Sequence, residues 1–279
     1  MRFIVFGDSK GKSHGINEKV LKNILNKTSK LNPEPKFIVV CGDSIAGSTN
    51  EKVYKNQLNN FKRILNNYHP KILILPVIGN HEVNITPEDD KYELLFKDIY
   101  KDFNPTEYLE EYNKTVYYMD FNDSRIIVLN SFHYNEIHKI TNNQLKWLSK
   151  ISAEEKSNKL LFVHSPAFPT GAHFGHCLDL YPECRDSFWN IVEKNNIDIV
   201  FSGHEHNYSR RVIPGSKIPQ IISGGAGEKL RNKYTDKKGV IIPPIDKFHF
   251  LVVDINDKLL MVSAISIKGS ILDIFTINK

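Results

Sequence analysis

The hydrophobic positions in the first third of the chain fall into short, fully apolar runs separated by stretches with a helical period. Residues 2–6, 37–41 and 72–78 form the apolar runs, each of a length typical of a buried strand. The stretches between them predict amphipathic helices, whose apolar positions are Val20, Leu21, Ile24, Leu25, Val53, Leu58, Phe61 and Leu65. Apolar strands that alternate with such helices predict an α/β fold, built on a largely parallel sheet with both faces covered.

The alternation continues to the end of the chain. Strands are predicted at residues 115–121, 125–130, 160–163, 198–201, 220–223, 248–253, 259–267 and 271–277, the first two joined by a turn at Asn122-Asp123. Helices are predicted at residues 88–102, at residues 188–192, and after Thr141, whose spacing to Gln144 is that of a capping box. Because no Pro/Ser-rich linker interrupts the pattern, we expect residues 1–279 to form a single domain.

Polar side chains of a few chemical types follow the apolar strands by one to a few residues. They are Asp8, Asp43, Asn80, His164, His204 and His206. In an open α/β sheet the ligand site lies beyond the carboxyl ends of the strands, so we expect these side chains to converge. Two carboxylates, an amide and three imidazoles suit Mn, Fe or Zn. The pattern therefore predicts a metal site.

The spacing of His204 and His206 indicates that this site holds two ions. In an extended segment, residues two apart point the same way and lie about 6.6 Å from each other. Imidazoles so placed are too far apart to share one ion comfortably. Each can instead bind one ion of a pair held about 3.5–4 Å apart.

Composition narrows the possible partners. Of the 279 residues, 41% are hydrophobic and 25% are charged, which is ordinary for a globular protein with a sizeable core. The net charge of +5 comes from scattered lysines, so an anionic substrate would be attracted but a nucleic-acid partner is not expected.

The chain has no apolar run of membrane-spanning length and starts with a strand, which predicts a cytoplasmic location, although a chain trimmed of a leader would look the same. Cys41 is interpreted as a buried hydrophobe, and Cys177 and Cys184 as free thiols in preference to a bridge.

The polar motifs occur together in one known family. In chain order they are Gly7-Asp8, Gly42-Asp43, Gly79-Asn80-His81-Glu82, Val163-His164, Gly203-His204-Glu205-His206 and Ile222-Ser223-Gly224-Gly225-Ala226-Gly227. With these blocks spread over nearly its whole length, the chain resembles the calcineurin-like metallophosphoesterases, and more closely their purple-acid-phosphatase-like branch. The resemblance implies a four-layer α-β-β-α sandwich, in which two mixed sheets are flanked by helices.

The resemblance also implies a dinuclear metal centre and a reaction. The implied ligands are Asp8 and His206 for the first ion, Asn80, His164 and His204 for the second, and Asp43 as the bridge. The two ions would be divalent or trivalent Mn, Fe or Zn, and a metal-bound hydroxide would attack the phosphorus of a small phosphate ester. His81, oriented by Glu82, would donate a proton or a hydrogen bond. His81 and Asp43 are thus the expected catalytic residues.

Two positions depart from the family pattern. Lys10 stands where the family usually has a histidine, and Ala46 stands where the purple acid phosphatases have a tyrosine. A charged lysine repels a cation, so we expect the first metal site to be the weaker one and Lys10 to contact a substrate phosphate instead. His14 is close enough in sequence to replace the missing ligand, although a histidine at a helix start is the simpler interpretation.

A loop over residues 167–181, rich in Gly and His, lies between two predicted ligand-bearing strands. We expect it to overhang the site, with His173 and His176 taking part in substrate binding. The loop does not indicate which phosphate ester it admits.

Three functions remain open from the sequence. The first is a metal-dependent phosphoesterase that acts on monoesters or diesters. The second is a nuclease, which would need a cationic groove. The third is a catalytically weakened binding scaffold of the same fold. Retention of Asn80 and His81 favours the enzyme, whereas Lys10 favours the scaffold. The sequence does not indicate an oligomeric state.

Overall fold

The computed structural model describes residues 1–12 and 14–279, in which the strands form two mixed sheets. In chain order the strands are β1 (Arg2–Phe6), β2 (Phe37–Val40), β3 (Leu73–Pro76), β4 (Glu107–Tyr108), β5 (Tyr117–Phe121), β6 (Ser124–Leu129), β7 (Asn158–Val163), β8 (Ile199–Ser202), β9 (Tyr208–Val212), β10 (Pro219–Ser223), β11 (Val240–Ile245), β12 (His249–Ile255), β13 (Leu259–Ser266) and β14 (Ile271–Asn278). The six-stranded sheet has the order β14-β13-β12-β1-β2-β3, and the eight-stranded sheet has the order β11-β9-β10-β8-β7-β6-β5-β4. Each combines a parallel block, β1-β2-β3 or β6-β7-β8-β10, with antiparallel strands.

Helices cover the outer faces of the two sheets. They are α1 (Glu18–Thr28), α2 (Glu51–Tyr68), α3 (Lys91–Ile99), α4 (Asn142–Ser152) and α5 (Pro182–Lys194). Helices α1, α2 and α3 share the larger core with the six-stranded sheet, whereas α4 and α5 pack in a separate core against the eight-stranded sheet. The four-layer α-β-β-α sandwich implied by the resemblance is confirmed.

The central strands of the eight-stranded sheet alternate between the two cores. Residues that face the six-stranded sheet are Ile126, Val128, Leu160, Phe162, Ile199 and Phe201. Residues that face α4 and α5 are Ile127, Leu129, Leu161, Val163 and Val200. This alternation is the period of a strand that is buried on both faces, which explains why these strands have fully apolar sequences. Between the sheets, Phe37 of β2 stacks on Phe121 of β5 with ring centroids 4.2 Å apart.

The predicted capping box at the start of α4 is wrong. The helix begins after Thr141, but no side-chain bond caps it. The Thr141 hydroxyl donates to Glu136 Oε1 at 2.7 Å, and the Gln144 amide pairs with the backbone of Asn130 at 2.7 and 3.0 Å. Both side chains of the motif are therefore taken by tertiary contacts that sequence spacing does not show.

Strands β4, β9 and β11 were not predicted. Strand β9 is polar because buried Arg211 lies within it and donates to Asp236 Oδ2 at 2.7 Å. Strand β11 contains Pro243 and Pro244, which argue against a strand, but it lies at a sheet edge, where the missing N–H is tolerated. Strand β4 is only two residues long and forms the other edge of the same sheet.

Over the described ranges, 1–12 and 14–279, none of the helices combines the length and the apolar character that crossing a membrane requires. All three cysteines lie in these ranges and are free thiols, with Cys41 and Cys177 buried.

Candidate metal centre

The six side chains predicted as ligands lie together beyond the carboxyl ends of β1, β2, β3, β7 and β8. They follow these strands at Asp8, Asp43, Asn80, His164, His204 and His206. Two buried groups have ligand atoms within 4.8 Å of one another, Asp43–His164–His204 and Asp8–Asp43–His206, and they share Asp43. The structure thus brings together the residues that the sequence predicts, at the strand ends where it places them.

The backbone turns sharply at four of these residues. Asp8 has a φ of 61°, Asp43 of 51°, His204 of 70° and His206 of 51°, all in the left-handed region that residues other than glycine rarely adopt. The extended conformation assumed for the His204-Glu205-His206 segment is therefore wrong. Its two imidazoles reach different groups because the chain bends between them, and such local strain is typical of functional sites.

Two glycines make room for this convergence. Gly42 has a φ of 83°, and a Cβ on it would lie 2.4 Å from His164 Nδ1. A Cβ on Gly79 would lie 2.4 Å from Asp43 Oδ1. Any larger residue at either position would displace a predicted ligand, which explains the glycines of the Gly-Asp and Gly-Asn motifs.

One group of ligand atoms is arranged around a single point. Asn80 Oδ1 lies 3.2 Å from His164 Nε2 and 3.1 Å from His204 Nδ1, and these two nitrogens are 3.3 Å apart. Asp43 Oδ1 lies 3.4 Å from His164 Nε2. The other ring nitrogens donate to backbone carbonyls, His164 Nδ1 to Cys41 at 2.6 Å and His204 Nε2 to His176 at 3.3 Å. A carbonyl can only accept, so in the neutral form of each ring the inward nitrogen presents a lone pair.

The other group encloses a lysine. Lys10 Nζ lies 2.5 Å from Asp43 Oδ2, 3.3 Å from His206 Nε2 and 3.9 Å from Asp8 Oδ1. Asp8 Oδ1 and His206 Nε2 are 3.5 Å apart. Asp8 Oδ2 accepts the backbone N–H of His204 at 2.9 Å, whereas buried Asp8 Oδ1 has no hydrogen-bond partner. The ammonium group therefore sits among the three side chains instead of at the rim of the site.

Burial and neighbouring charges set the protonation of these groups. Burial raises the pKa of Asp43, but Lys10 and His164 outweigh it and hold this pKa well below its usual range. For Asp8, burial prevails over the same two positive groups and raises the pKa to about 7. Burial lowers the pKa of Lys10, yet Asp43 and Asp8 raise it above its ordinary value. Lys10 and Asp43 thus form a buried ion pair.

His81 lies beside Asp43 with one ring nitrogen fixed and the other turned to the site. Its Nδ1 donates to the Ala46 carbonyl at 2.8 Å, and its Nε2 lies 4.0 Å from Asp43 Oδ2. The expectation that Glu82 orients His81 is wrong. Buried Glu82 accepts hydrogen bonds from the backbone N–H groups of Asp43, Ser44 and Gly79 at 2.7–2.9 Å, so it fixes the loop that carries Asp43.

Glu205 has a structural part beside the site that the sequence analysis did not predict. It is buried and accepts from the backbone N–H groups of Thr170, Gly171 and His173 at 2.5, 3.1 and 2.8 Å. It thereby fastens the 167–181 loop to the ligand-bearing turn. The signal was present in the sequence, because Glu205 follows a histidine in the same way as Glu82 does.

The two loop histidines predicted to bind substrate have different positions. The His173 ring is packed 4.5 Å from the His204 ring and 5.3 Å from the His206 ring, between centroids. Burial, together with Arg231 and Lys10, lowers the pKa of His173 to about 4, so its ring is neutral. The His176 ring is exposed, and its backbone carbonyl is the group that holds His204. His14 is exposed and belongs to neither ligand group.

His138 also reaches the site without having been singled out. Its ring centroid lies 6.2 Å from that of His204 and 5.0 Å from that of Phe132. Burial, with the charges of His176 and His164, lowers the pKa of His138 to about 4. It occupies a loop with no neighbouring motif, so the sequence offers no signal for it.

Comparisons with known proteins found distant relatives in sequence and in fold. The serine/threonine-protein phosphatase CPPED1 of Rattus norvegicus is 24% identical over 252 residues, which cover 86% of this chain and 74% of that protein. The purple acid phosphatase PPD1 of yellow lupin (Lupinus luteus) has a TM-score of 0.78 at 17% identity, and the match covers 100% of this chain but only 53% of that one. GAP50 of Plasmodium, described as the anchor in the inner membrane complex, has a TM-score of 0.70 at 16% identity, with 100% of this chain and 88% of that one covered.

The calcineurin-like phosphoesterase family model matches residues 1–208. The matched segment contains every residue of the two ligand groups, as well as Asn80 and His81. The chain therefore belongs to the calcineurin-like phosphoesterase family and, with it, to the phosphoric ester hydrolases.

Proposed function

We propose that the chain hydrolyses a small phosphate ester with the help of a metal ion held by Asp43, Asn80, His164 and His204. One observation carries the proposal. Both histidines donate their outer nitrogen to a backbone carbonyl, so that their inner nitrogens face the same amide oxygen. Lone pairs that face one another across such short distances repel unless a positive charge lies between them.

The separations fit an ion of the expected class. Ligands about 2.0–2.2 Å from a tetrahedral ion lie roughly 3.3–3.6 Å from one another. The separations among Asp43 Oδ1, His164 Nε2, His204 Nδ1 and Asn80 Oδ1 that define the group are 3.1–3.4 Å. Imidazole with oxygen ligands suits Mn, Fe or Zn.

The residues of the chain have distinct parts in the proposed reaction. A bound ion would supply positive charge for the phosphoryl group and lower the pKa of water towards neutrality. Asp43 would hold that ion through Oδ1, while its Oδ2 holds the Lys10 ammonium. In its doubly protonated form, His81 would keep its Nδ1–H on the Ala46 carbonyl and donate the proton of Nε2, which faces the site, to the leaving oxygen.

The sequence predicts two ions that share Asp43, and the two ligand groups share that residue. The Asp8–Asp43–His206 group, however, does not fit a second ion in its present arrangement, because the Lys10 ammonium lies 2.5 Å from Asp43 Oδ2. A dinuclear centre requires this ammonium to withdraw or to lose its proton. It stays a prediction, and no step of the proposed reaction depends on it.

A binding scaffold is the second candidate function. It is supported by Lys10 within one ligand group and by the fold shared with GAP50, a protein named for an anchoring role. The enzyme is better supported, because a scaffold has no physical need for His81 and Asn80 at these positions. A rat relative named a serine/threonine-protein phosphatase also makes phosphoserine peptides worth testing as substrates.

Hydrolysis should follow metal content and the intact ligand set. Protein stripped with a chelator is assayed with an aryl phosphate monoester, an aryl phosphate diester, a phosphoserine peptide and single-stranded DNA, before and after addition of Mn²⁺, Zn²⁺ or Fe²⁺. We expect metal to restore hydrolysis of at least one of the first three substrates. His164→Ala should lower turnover by more than the roughly 10–100-fold typical of losing a group that merely orients a ligand.

His14→Ala is the matched control, since His14 is exposed and belongs to neither ligand group. It should leave turnover and metal content unchanged. Bound metal with no hydrolysis of any substrate would favour the scaffold, and cleavage of DNA alone would favour the nuclease. Full activity after chelation, or in His164→Ala, would contradict the proposal.

A further inference from the structure

The ammonium group of Lys10 lies where the first of two metal ions would need to be. Its contacts are Asp43 Oδ2 at 2.5 Å, His206 Nε2 at 3.3 Å and Asp8 Oδ1 at 3.9 Å. We propose that this ammonium takes the place of the first metal ion, so that the chain binds one metal ion beside a cation of its own. The single ion would occupy the group of Asp43, Asn80, His164 and His204, and in that respect the inference rests on the proposed function.

The position of Lys10 is set by the fold. Its backbone N–H donates to the Asp43 carbonyl at 3.1 Å, and Lys10 forms an isolated antiparallel bridge with Ile16 just before α1. The neighbouring residue Ser9 accepts the backbone N–H of Asn17 at 2.9 Å. These hydrogen bonds fix the loop on both sides of Lys10, and its side chain is only 6% exposed. Lys10 is therefore a buried residue and not a surface lysine.

Charge favours one ion over two. The Lys10 ammonium already lies against Asp43 Oδ2, which leaves Asp43 Oδ1, on the side of His164, to attract one divalent ion. A second divalent ion would have to lie next to the ammonium in a buried site, where repulsion between like charges is poorly screened. His206 further disfavours a second ion. Its Nε2 already accepts a hydrogen bond from Lys10 and cannot use the same lone pair for a metal.

The Lys10 ammonium also lies near a buried oxygen of Asp8. Its Oδ1 is buried and has no hydrogen-bond partner, an arrangement that is costly unless a positive charge lies nearby. Lys10 Nζ, at 3.9 Å, supplies that charge. Asp8 would thus stabilise the built-in cation instead of binding a metal. A fixed ammonium can donate hydrogen bonds to a phosphoryl oxygen, but it cannot lower the pKa of water as a metal ion does.

Metal stoichiometry tests the inference without reference to activity. Wild-type protein, Lys10→His and Lys12→His are equilibrated with Mn²⁺ and dialysed, and the ions bound per chain are counted by elemental analysis. We expect one ion in the wild type, two in Lys10→His, and one in Lys12→His, the control at an exposed lysine of the same loop. Electron paramagnetic resonance should show isolated Mn²⁺ in the wild type and a spin-coupled pair in Lys10→His.

A second substitution locates the additional ion. Asp8→Asn should leave the single ion of the wild type in place, but it should reduce Lys10→His from two ions to one. If Lys10→His does not fold, as judged by circular dichroism, Lys10→Met removes the charge with little change in volume and should admit a second, weaker ion.

The outcomes separate this inference from the proposed function. Two ions in the wild type, or a single ion in both folded Lys10 variants, would overturn the inference and leave the metal-dependent phosphoesterase intact. No bound ion in the wild type would contradict both.

Discussion

Two buried histidines of one site differ widely in protonation because their nearest charged neighbours differ. Burial lowers the pKa of both rings. For His164, Asp43 and Asp8 outweigh burial and raise the pKa to about 9, so its inward nitrogen holds a proton that a bound metal ion would replace. For His206, Lys10 adds to burial, and the pKa falls to about 2. The protonation of each histidine in this site therefore depends on its charged neighbours and not on the residue type alone.

His81 is the residue whose removal should separate chemistry from metal binding. Its ring is fixed through the Ala46 carbonyl and does not enter either ligand group. If it donates a proton to the leaving oxygen, His81→Ala should keep the bound metal but lower turnover by about 10²–10⁴-fold. Alkyl phosphates should lose more than aryl phosphates, because aryl oxides leave without much help from a proton. Turnover and metal content of the variant with both kinds of ester check this.

The comparison of the two esters also contains its own control. An equal loss for both would indicate that His81 stabilises charge on the phosphoryl oxygens and is not a proton donor. His14→Ala reports the effect of losing an exposed imidazole outside the ligand groups. Unchanged turnover in His81→Ala would remove the residue from the mechanism.

At the scale of elements, two buried glutamates fasten loops to the site. Glu82 accepts hydrogen bonds from backbone N–H groups of the turn that carries Asp43. Glu205 accepts them from backbone N–H groups at the start of the 167–181 loop. Each follows a histidine on a turn after a strand. The Glu205 contacts matter for His204, because the same loop supplies the His176 carbonyl that fixes its ring. Loop placement and ligand orientation are thus linked through one carboxylate.

Glu205→Gln should loosen the 167–181 loop while the rest of the fold persists. One carboxylate oxygen becomes an amide that donates, so it faces the N–H groups of Thr170, Gly171 or His173 without accepting from them. Leaving buried donors unsatisfied should lower the free energy of unfolding by about 1–3 kcal/mol. Hydrogen exchange measured by mass spectrometry should be faster in a peptide covering these amides. Glu183→Gln, at an exposed carboxylate just beyond the loop, is the control. Equal exchange in the two variants would show that Glu205 does not hold the loop.

Much of the architecture could be predicted from the sequence, because buried strands and helices have characteristic periods of apolar residues. The apolar runs before Asp8, Asp43 and His164 correspond to β1, β2 and β7, and the six ligands followed from their placement at strand ends. What could not be read depends on long-range partners. Arg211 makes β9 look exposed although it is buried, and the extended conformation expected for the two histidines gives way to a turn. The position of the Lys10 ammonium likewise depends on two residues that are distant in sequence, Asp43 and His206. The assignment of residues 1–279 to a single domain stays a prediction.

At the scale of the whole molecule, the two sheets are joined beside the site by His249. This histidine starts β12 in the six-stranded sheet, and its Nε2 lies 3.1 Å from the hydroxyl of Ser223 at the end of β10 in the other sheet. Its Nδ1 lies 2.8 Å from the Lys247 carbonyl, and its ring centroid is 5.5 Å from that of Tyr208. Because this imidazole is buried between the two sheets, the free energy of unfolding of the sandwich should depend on pH.

Stability should therefore decline in mild acid, and His249 should account for a definable share of the decline. Burial outweighs the Lys247 carbonyl and lowers the pKa of His249 to about 4, from an ordinary value of 6.5. Below pH 6.5 the unfolded chain takes up a proton at this residue that the folded chain does not, so acid favours unfolding until about pH 4. The difference amounts to about 3 kcal/mol, at roughly 1.4 kcal/mol per pH unit. Urea unfolding at pH 7.5, 6, 5 and 4, with chelator present throughout, should show less decline in His249→Gln than in the wild type by up to this amount. His14→Gln, at an exposed histidine, controls for the loss of an imidazole. An identical decline in wild type and His249→Gln would mean that this junction between the sheets does not sense pH.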